Sequence, residues 1–315
     1  MLKAVSRLAS ILLAFSLAGC QAAVAATRPD PALTVGEALR RPEPQLDYLQ
    51  TTIAFEKLVE PASDAAITEA MIARLVDAAR QMAGPNPTDT YKLAAIRKAI
   101  YDSGAWNYGR AFSYDLADPL GQQLQNRLLS TYIRTRKGNC VSMPTLFLIV
   151  ADRMGLNVRL ATAPLHMFVR YTDAAGTVSN LEATSGGHAA RDQWYREKIA
   201  ITDRAIQSGA YMRTLSKRES VAELATTVMD VLIEQHRFQD AIGVADAILA
   251  VNPRETYVMA KKGTALAGIM QAEFVDKYPN PKLIPANLLP RYRQLAEANE
   301  ATFKAAEALG WEPAS

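Results

Sequence analysis

Two cysteines and three histidines in 315 residues leave few places to build nucleophilic chemistry. Cys140 follows Gly138-Asn139 where the apolar pattern predicts the start of a helix. A thiol there faces the positive end of the helix dipole and several unpaired backbone N–H groups. These favour thiolate and could hold an oxyanion once the thiolate attacks a carbonyl. Such a nucleophile still needs a base. His166 lies on a short alternating segment after Pro164-Leu165, on which His166, Phe168 and Arg170 share one face and Leu165, Met167, Val169 and Tyr171 the other. In the following segment Val178, Asn180, Glu182 and Thr184 share a face. If Thr172 pairs with Gly176 across a three-residue loop, Glu182 falls opposite His166. Facing Cβ atoms are then about 4.5–5.5 Å apart, close enough for a carboxylate to orient an imidazole. A two-residue loop instead sets Ala183 opposite His166 and turns Glu182 to the other face.

Cys140, His166 and Glu182 are therefore the candidate nucleophile, base and orienting acid. Asp173, Asn180 or a backbone carbonyl are alternative partners for the imidazole, and Asn126, Asn139 and Gln123 are candidate oxyanion donors beside the Cys140 N–H. His188, after Gly186-Gly187, reads as a loop histidine that could line the cleft, and His236 as a surface residue of a helix. One thiol with scattered histidines does not supply the ligands of a zinc site. No phosphate loop, dinucleotide fingerprint or calcium loop is present, so no metal and no cofactor is expected.

The elements that must position these residues read as α+β. The pattern is helical from Leu46 to Tyr101, with Ala65–Met82 carrying a stripe of Ile67, Met71, Ile72, Leu75, Val76 and Ala79. Gly84-Pro85-Asn86-Pro87 breaks it, Tyr91–Ile100 resumes it, and Leu120–Ile133 is helical again. The cysteine-bearing helix runs on through Leu146, Phe147, Ile149 and Val150 to Met154 and stops at Gly155, with Pro144 tolerated in its first turn. The period then becomes two, over 158–162, 166–171 and 178–184. From Val221 onward it is helical, with a hairpin formed by Thr256–Met270 and Pro290–Leu309.

The N-terminus adds a location. Residues 1–19 have two cations, no acid and an apolar run from Ile11 to Leu17, the form of a secretory signal. Leu17-Ala18-Gly19-Cys20 resembles the lipobox of bacterial lipoproteins, which implies lipidation of Cys20 and, with Gln21 rather than Asp following, the outer membrane of a Gram-negative cell facing the periplasm. Acyl chains would be the membrane contact, at about 0.8 kcal/mol per buried methylene. Residues 20–45, rich in Ala, Pro and Arg, read as a tether. Cys140 is then a lone thiol in an oxidising compartment, which invites a functional explanation. Loss of Lys3 and Arg7 reduces the basic residues from 35 to 33 against 32 acidic ones, so no nucleic-acid partner is expected. With 49% hydrophobic and 21% charged residues the composition is that of an ordinary globular protein.

A helix-opening cysteine, a strand with histidine and a strand with an acid, in that order, resemble the transglutaminase-like superfamily of papain-type folds. The likeness is nearest to a bacterial branch related to the SirB1 N-terminal domain. It is carried by RKGNCVSMPTLFLIVADRMGLNVRLATAPLHMFVRY and SNLEATSGG, within about Leu93 to Gly187. The resemblance implies a papain/transglutaminase-like cysteine domain over 46–215, with its Cys-bearing helix packed on a small antiparallel sheet. It assigns Cys140 as nucleophile, His166 as general base and then acid, and Glu182, where relatives usually carry Asp, as orienting acid. Residues 216–315 form helical hairpins in which FQDAIGVADAILAVNP resembles one tetratricopeptide repeat, a surface for a protein partner. The expected function is thiol-dependent acyl transfer, chiefly hydrolysis of a peptide or amide substrate. The alternative is a catalytically silent adaptor that binds envelope proteins or glycan.

Overall fold

The computed structural model describes residues 29–119 and 121–313; the expected leader and Cys20 lie outside them. Four helices open the described chain: α1 (Pro31–Arg40), α2 (Tyr48–Val59), α3 (Ala65–Ala83) and α4 (Asp89–Tyr101). Aspartates set three of their starts, since Asp30, Asp47 and Asp64 each accept from backbone N–H groups of the first turn. The two-residue strand β1 (Ser113–Tyr114) pairs in parallel with β2 (Lys137–Gly138), and between them lies α5 (Leu129–Thr135). The Glu56 carboxylate of α2 accepts the Leu129 and Ser130 N–H groups and so caps α5 from another element.

Helix α6 (Ser142–Arg153) is buried along its whole length from Ser142 to Ala151, as a helix apolar on every side must be. It packs on α2 to α5 and against the strands that follow. Those strands form one antiparallel sheet in sequential order: β3 (Val158–Ala163), β4 (His166–Thr172), β5 (Val178–Glu182) and β6 (His188–Ala190). Phe168, from the other side of the sheet, packs with Tyr195 of α7 (Asp192–Lys198), Ala205 of α8 (Asp203–Gln207) and Tyr211. The chain closes with α9 (Lys217–Leu224), α10 (Thr226–Glu234), α11 (Phe238–Val251), α12 (Thr256–Met270) and α13 (Leu289–Ala308), packed as successive neighbours. No helix among the described residues is long and apolar enough to cross a membrane.

Four expectations need correction. Residues 31–40, expected as tether, are helical: Asp30 caps them, Pro31 takes the first-turn position it favours, and Val35 and Leu39 are buried on the face toward α11. Gly243 of α11 permits the close approach, because a Cβ there would stand 2.7 Å from the Ala32 Cβ. The helix expected over 120–133 is a short 3-10 turn, Leu124–Arg127, followed by α5. Asp118 accepts the Gln122 and Gln123 N–H groups there and bends the chain first. The β4–β5 connection is longer than the three residues expected, since Thr172 pairs with Val178. Asp173 accepts from the Ala175 and Thr177 N–H groups, and the buried Arg170 Nε donates to its facing partner Asn180 at 2.9 Å, which locks that register. Finally, β5 ends at Glu182 rather than running to Thr184, and the turn Ala183–Ser185 leads through Gly186-Gly187 into β6.

The boundary expected at 215–216 does not interrupt the packing. One apolar core runs from Val35 through α6 to Leu295, and the Met212 and Leu215 N–H groups bond the Thr162 and Leu160 carbonyls along the free edge of β3. Val35, fully buried beneath α1, tests the helical assignment of its segment. Val35→Asp is expected to lower unfolding stability by about 3 kcal/mol, the cost of an unpaired charge in an apolar seam. Chemical denaturation checks this, because an extended tether would tolerate the change.

Candidate active site

Gly138 leads the chain into the site through a place too tight for any side chain. A Cβ there would approach the Tyr132 ring to 2.7 Å and the Ser142 Oγ to 2.8 Å. Asn139 then organises the start of α6. Its Oδ1 accepts the Val141 and Ser142 N–H groups at 3.0 and 3.2 Å, and its N–H donates to the Ser142 Oγ at 3.1 Å. The Met143 N–H already donates to the Asn139 carbonyl, so the turn leading into α6 contains Cys140. The half-buried thiol sits at the positive end of a long apolar helix and donates to the Leu165 carbonyl at 3.5 Å.

Leu165 belongs to the two-residue turn joining β3 to β4, where Ala163 faces His166. It holds a left-handed backbone (φ 54°) with an exposed side chain, an unfavourable state for a leucine. That turn delivers His166 opposite the thiol. The ring meets Cys140 on one side, and on the other its Nε2 lies 2.8 Å from the Glu182 Oε2. Burial alone would lower the imidazole pKa; hydrogen bonds with the thiol and the carboxylate outweigh it and raise the pKa from 6.5 to about 9.

Glu182 is 2% exposed. The β4–β5 pairing places it diagonally from His166 rather than opposite, a separation of about 7–8 Å between such neighbours, which the longer arm of Glu spans. Burial pushes its pKa up, but the His166 ring and Thr184 more than offset this and hold it below the usual carboxylate range. The Thr184 N–H and Oγ1 donate to Oε1 at 2.9 and 2.6 Å, and the Tyr195 hydroxyl donates to Oε2 at 3.0 Å. Thr184 and Tyr195 were not anticipated as parts of the site. A hydroxyl two residues beyond the acid was a readable signal for Thr184; Tyr195 arrives through the fold and has none. Gly187 makes its return path possible, with φ 70° and no room for a Cβ, which would lie 2.4 Å from the Phe147 ring.

Of the expected oxyanion donors, two are engaged elsewhere. Asn126 donates to Asp115 and Asp118, and Gln123 is exposed in the Asp118 turn. Asn139 differs: its buried Nδ2 has no partner among the described residues. The alternative orienting groups are also placed apart from the ring, since Asn180 bonds Arg170 and Asp192 while Asp173 closes its own turn. His188 faces Glu182 from β6 but is solvent-exposed, and His236 lies in the turn between α10 and α11 rather than on a helix.

Beside Cys140 and His166 lies a cavity of about 110 Å³. Gly121 and Leu165 line one side; the opposite side comes from the C-terminal helices, with Glu223, Asp230, Glu255 and Tyr257.

Residues 67–224, half of the chain, match the family described as the transglutaminase-like superfamily. A UPF0162 protein of Buchnera aphidicola subsp. Schizaphis graminum (strain Sg) is 23% identical over 185 residues, covering 56% of this chain and 64% of that protein. Another UPF0162 protein, from Buchnera aphidicola subsp. Acyrthosiphon pisum (strain APS), is 21% identical over 201 residues, covering 62% and 69%. The chain thus spans about two thirds of the length of the curated relatives it matches. No solved structure matches.

Two measurements follow from the geometry. The His166 pKa is higher in the folded state, so its bonds stabilise the fold fully below about pH 6.5 and lose effect as pH rises through about 9. The Glu182 pKa is lower in the folded state, so its contribution is present above about pH 4.5 and fades as pH falls. The melting temperature of the protein should decline from pH 6.5 to 9.5 more steeply than that of His166→Gln. Tyr195→Phe, which removes one donor to a buried carboxylate, should lower unfolding stability by about 1–2 kcal/mol, read by urea denaturation.

Proposed function

Since the chain belongs to the transglutaminase-like superfamily, we propose that it is a thiol acyl-transfer enzyme that hydrolyses a peptide or amide bond through Cys140, His166 and Glu182. The observation that carries this reading is the His166 ring, held between a thiol and a buried carboxylate that accepts three further hydrogen bonds. In this reading the proton of the thiol passes to His166, and the Cys140 Sγ attacks the carbonyl carbon to form a C–S bond. The oxyanion is received by the Cys140 N–H at the positive end of α6. Collapse breaks the C–N bond, and the imidazolium gives its proton to the departing amine. A water molecule, deprotonated by His166, then attacks the thioester; the acid leaves and the proton returns to the thiol. Glu182 stays ionised throughout and keeps the ring aligned.

The remaining parts of the proposal concern setting. The lipobox-like Leu17–Cys20 supports an outer-membrane lipoprotein facing the periplasm, and the repeat-like spacing of α10–α11 supports a tetratricopeptide-type surface for a protein partner. Both stand on sequence pattern.

Alkylation of Cys140 by iodoacetamide against pH tests the chemistry. Rapid reaction is expected at neutral pH, where His166 beside the thiol holds its proton, with the rate lowered in His166→Ala and less so in Glu182→Gln. A slow thiol of ordinary pH dependence, indifferent to both changes, would overturn the enzyme reading and leave a lipid-anchored binding scaffold.

A further inference from the structure

The cavity beside Cys140 has one wall that the bond-breaking chemistry does not use. Glu223 is 9% exposed, and among the described residues no N–H or O–H of another residue type reaches its carboxyl. Its polar partner is a second carboxyl, that of Glu255, which is 1% exposed. Asp230 on the same wall is already neutralised: the Arg127 Nη1 and the Tyr257 hydroxyl hold its Oδ2 at 2.6 and 2.7 Å, and the Lys261 Nζ stands 3.2 Å from its Oδ1. Glu255 is helped by the Asn252 amide and the Tyr257 N–H at 3.3 Å each and by the charge of Arg213, which itself bonds the Asn252 Oδ1. Two cations therefore compensate Asp230, whereas Glu223 and Glu255 line the same cavity with only the Arg213 charge acting on Glu255.

Two adjacent carboxyls removed from water cannot both ionise without a positive charge between or beside them. Burial and the neighbouring carboxyl push Glu223 well above the usual range; burial raises Glu255 to about 7. Burial and mutual repulsion therefore disfavour two negative charges on this pair. Such an arrangement is costly to bury, and an apolar wall would close the cavity without it. A ligand cation entering from the side of Cys140 would supply a positive charge, complete both carboxylates and satisfy the unpartnered Glu223.

We propose that Glu223 and Glu255 form the floor of a substrate pocket that receives an organic cation, a primary ammonium or a guanidinium, next to the carbonyl attacked by Cys140. The inference rests on the acyl-transfer reading for its meaning but concerns binding, which is measurable without catalysis. Glu223 lies at the end of the residues that match the family and Glu255 lies beyond them.

The test uses full-length protein with Cys140→Ala and titrates it with n-pentylammonium, n-pentylguanidinium and n-pentanol by calorimetry in buffers of different ionisation enthalpy. At least one cation is expected to bind about tenfold or more tightly than the alcohol, as charged hydrogen bonds to a desolvated carboxylate imply, with release of up to one proton. Ammonium preferred over guanidinium assigns a lysine-like or free amine substrate; the reverse assigns an arginine-like one. Glu223→Gln should remove the preference for cations and the proton release. Glu255→Gln, confirmed folded by circular dichroism, provides a second variant, because Glu255 also caps α12. Equal binding of alcohol and cations, or a cation preference unchanged in both variants, would overturn the pocket. Reactive Cys140 in the wild-type protein together with such indifference sinks the pocket alone, whereas selective cation binding with an inert thiol sinks the enzyme reading alone.

Discussion

A carboxylate taken out of water must be compensated on every side, and around Glu182 this requirement organises the site. Its two oxygens accept from the His166 ring, the Tyr195 hydroxyl and both donors of Thr184. Those donors come from β4, from α7 and from the turn that ends β5. Loss of any one leaves a buried charge short of partners, which costs far more than the bond itself contributes. The imidazole is therefore held by an element that cannot rotate without cost, and the sheet end, the double-glycine turn and α7 are tied together through a single side chain. Orientation of the ring and stability of this corner are the same physical fact.

A second set of buried charges joins the two parts of the chain. Arg127, just ahead of α5, reaches Asp230 on α10, and Tyr257 of α12 bonds the same oxygen. The backbone of residues 212–215 bonds the edge of β3. Together with an apolar core continuous from α1 to α13, these contacts make the C-terminal helices a wall of the cleft. The thiol thus faces a surface built from sequence positions far beyond it.

Local signals carried the centre of the site. Glycine before the cysteine and a long apolar helix after it placed Cys140 next to α6, in the turn that leads into it rather than in the helix itself, and a period of two put His166 and Glu182 on strands β4 and β5. The even parity of the strand pairing put His166 and Glu182 on one face whichever even register held. The offset itself was not legible, because it depends on Asp173 folding its loop and on Arg170 bonding Asn180, choices made by side chains rather than by hydrophobic period. Helix α1 was hidden because its apolar face is narrow and becomes meaningful only against Gly243 of α11. Asn126 and Gln123 looked available until Asp118 claimed that turn. Tyr195, Glu223 and Glu255 reach the cleft through tertiary packing, which no spacing along the chain encodes.

The cleft draws on two separate stretches of its own chain. The thiol, the ring and the carboxylate all lie between residues 140 and 182, inside one continuous stretch of helix and sheet. The facing wall is written on α9, α10 and the start of α12, helices that touch none of those three side chains by hydrogen bond. Substitutions on those helices can reshape what the cleft admits while leaving the reacting groups in place. Sequence change can therefore alter what the cleft holds and leave the arrangement of Cys140, His166 and Glu182 intact, because the two lie on separate parts of the same molecule.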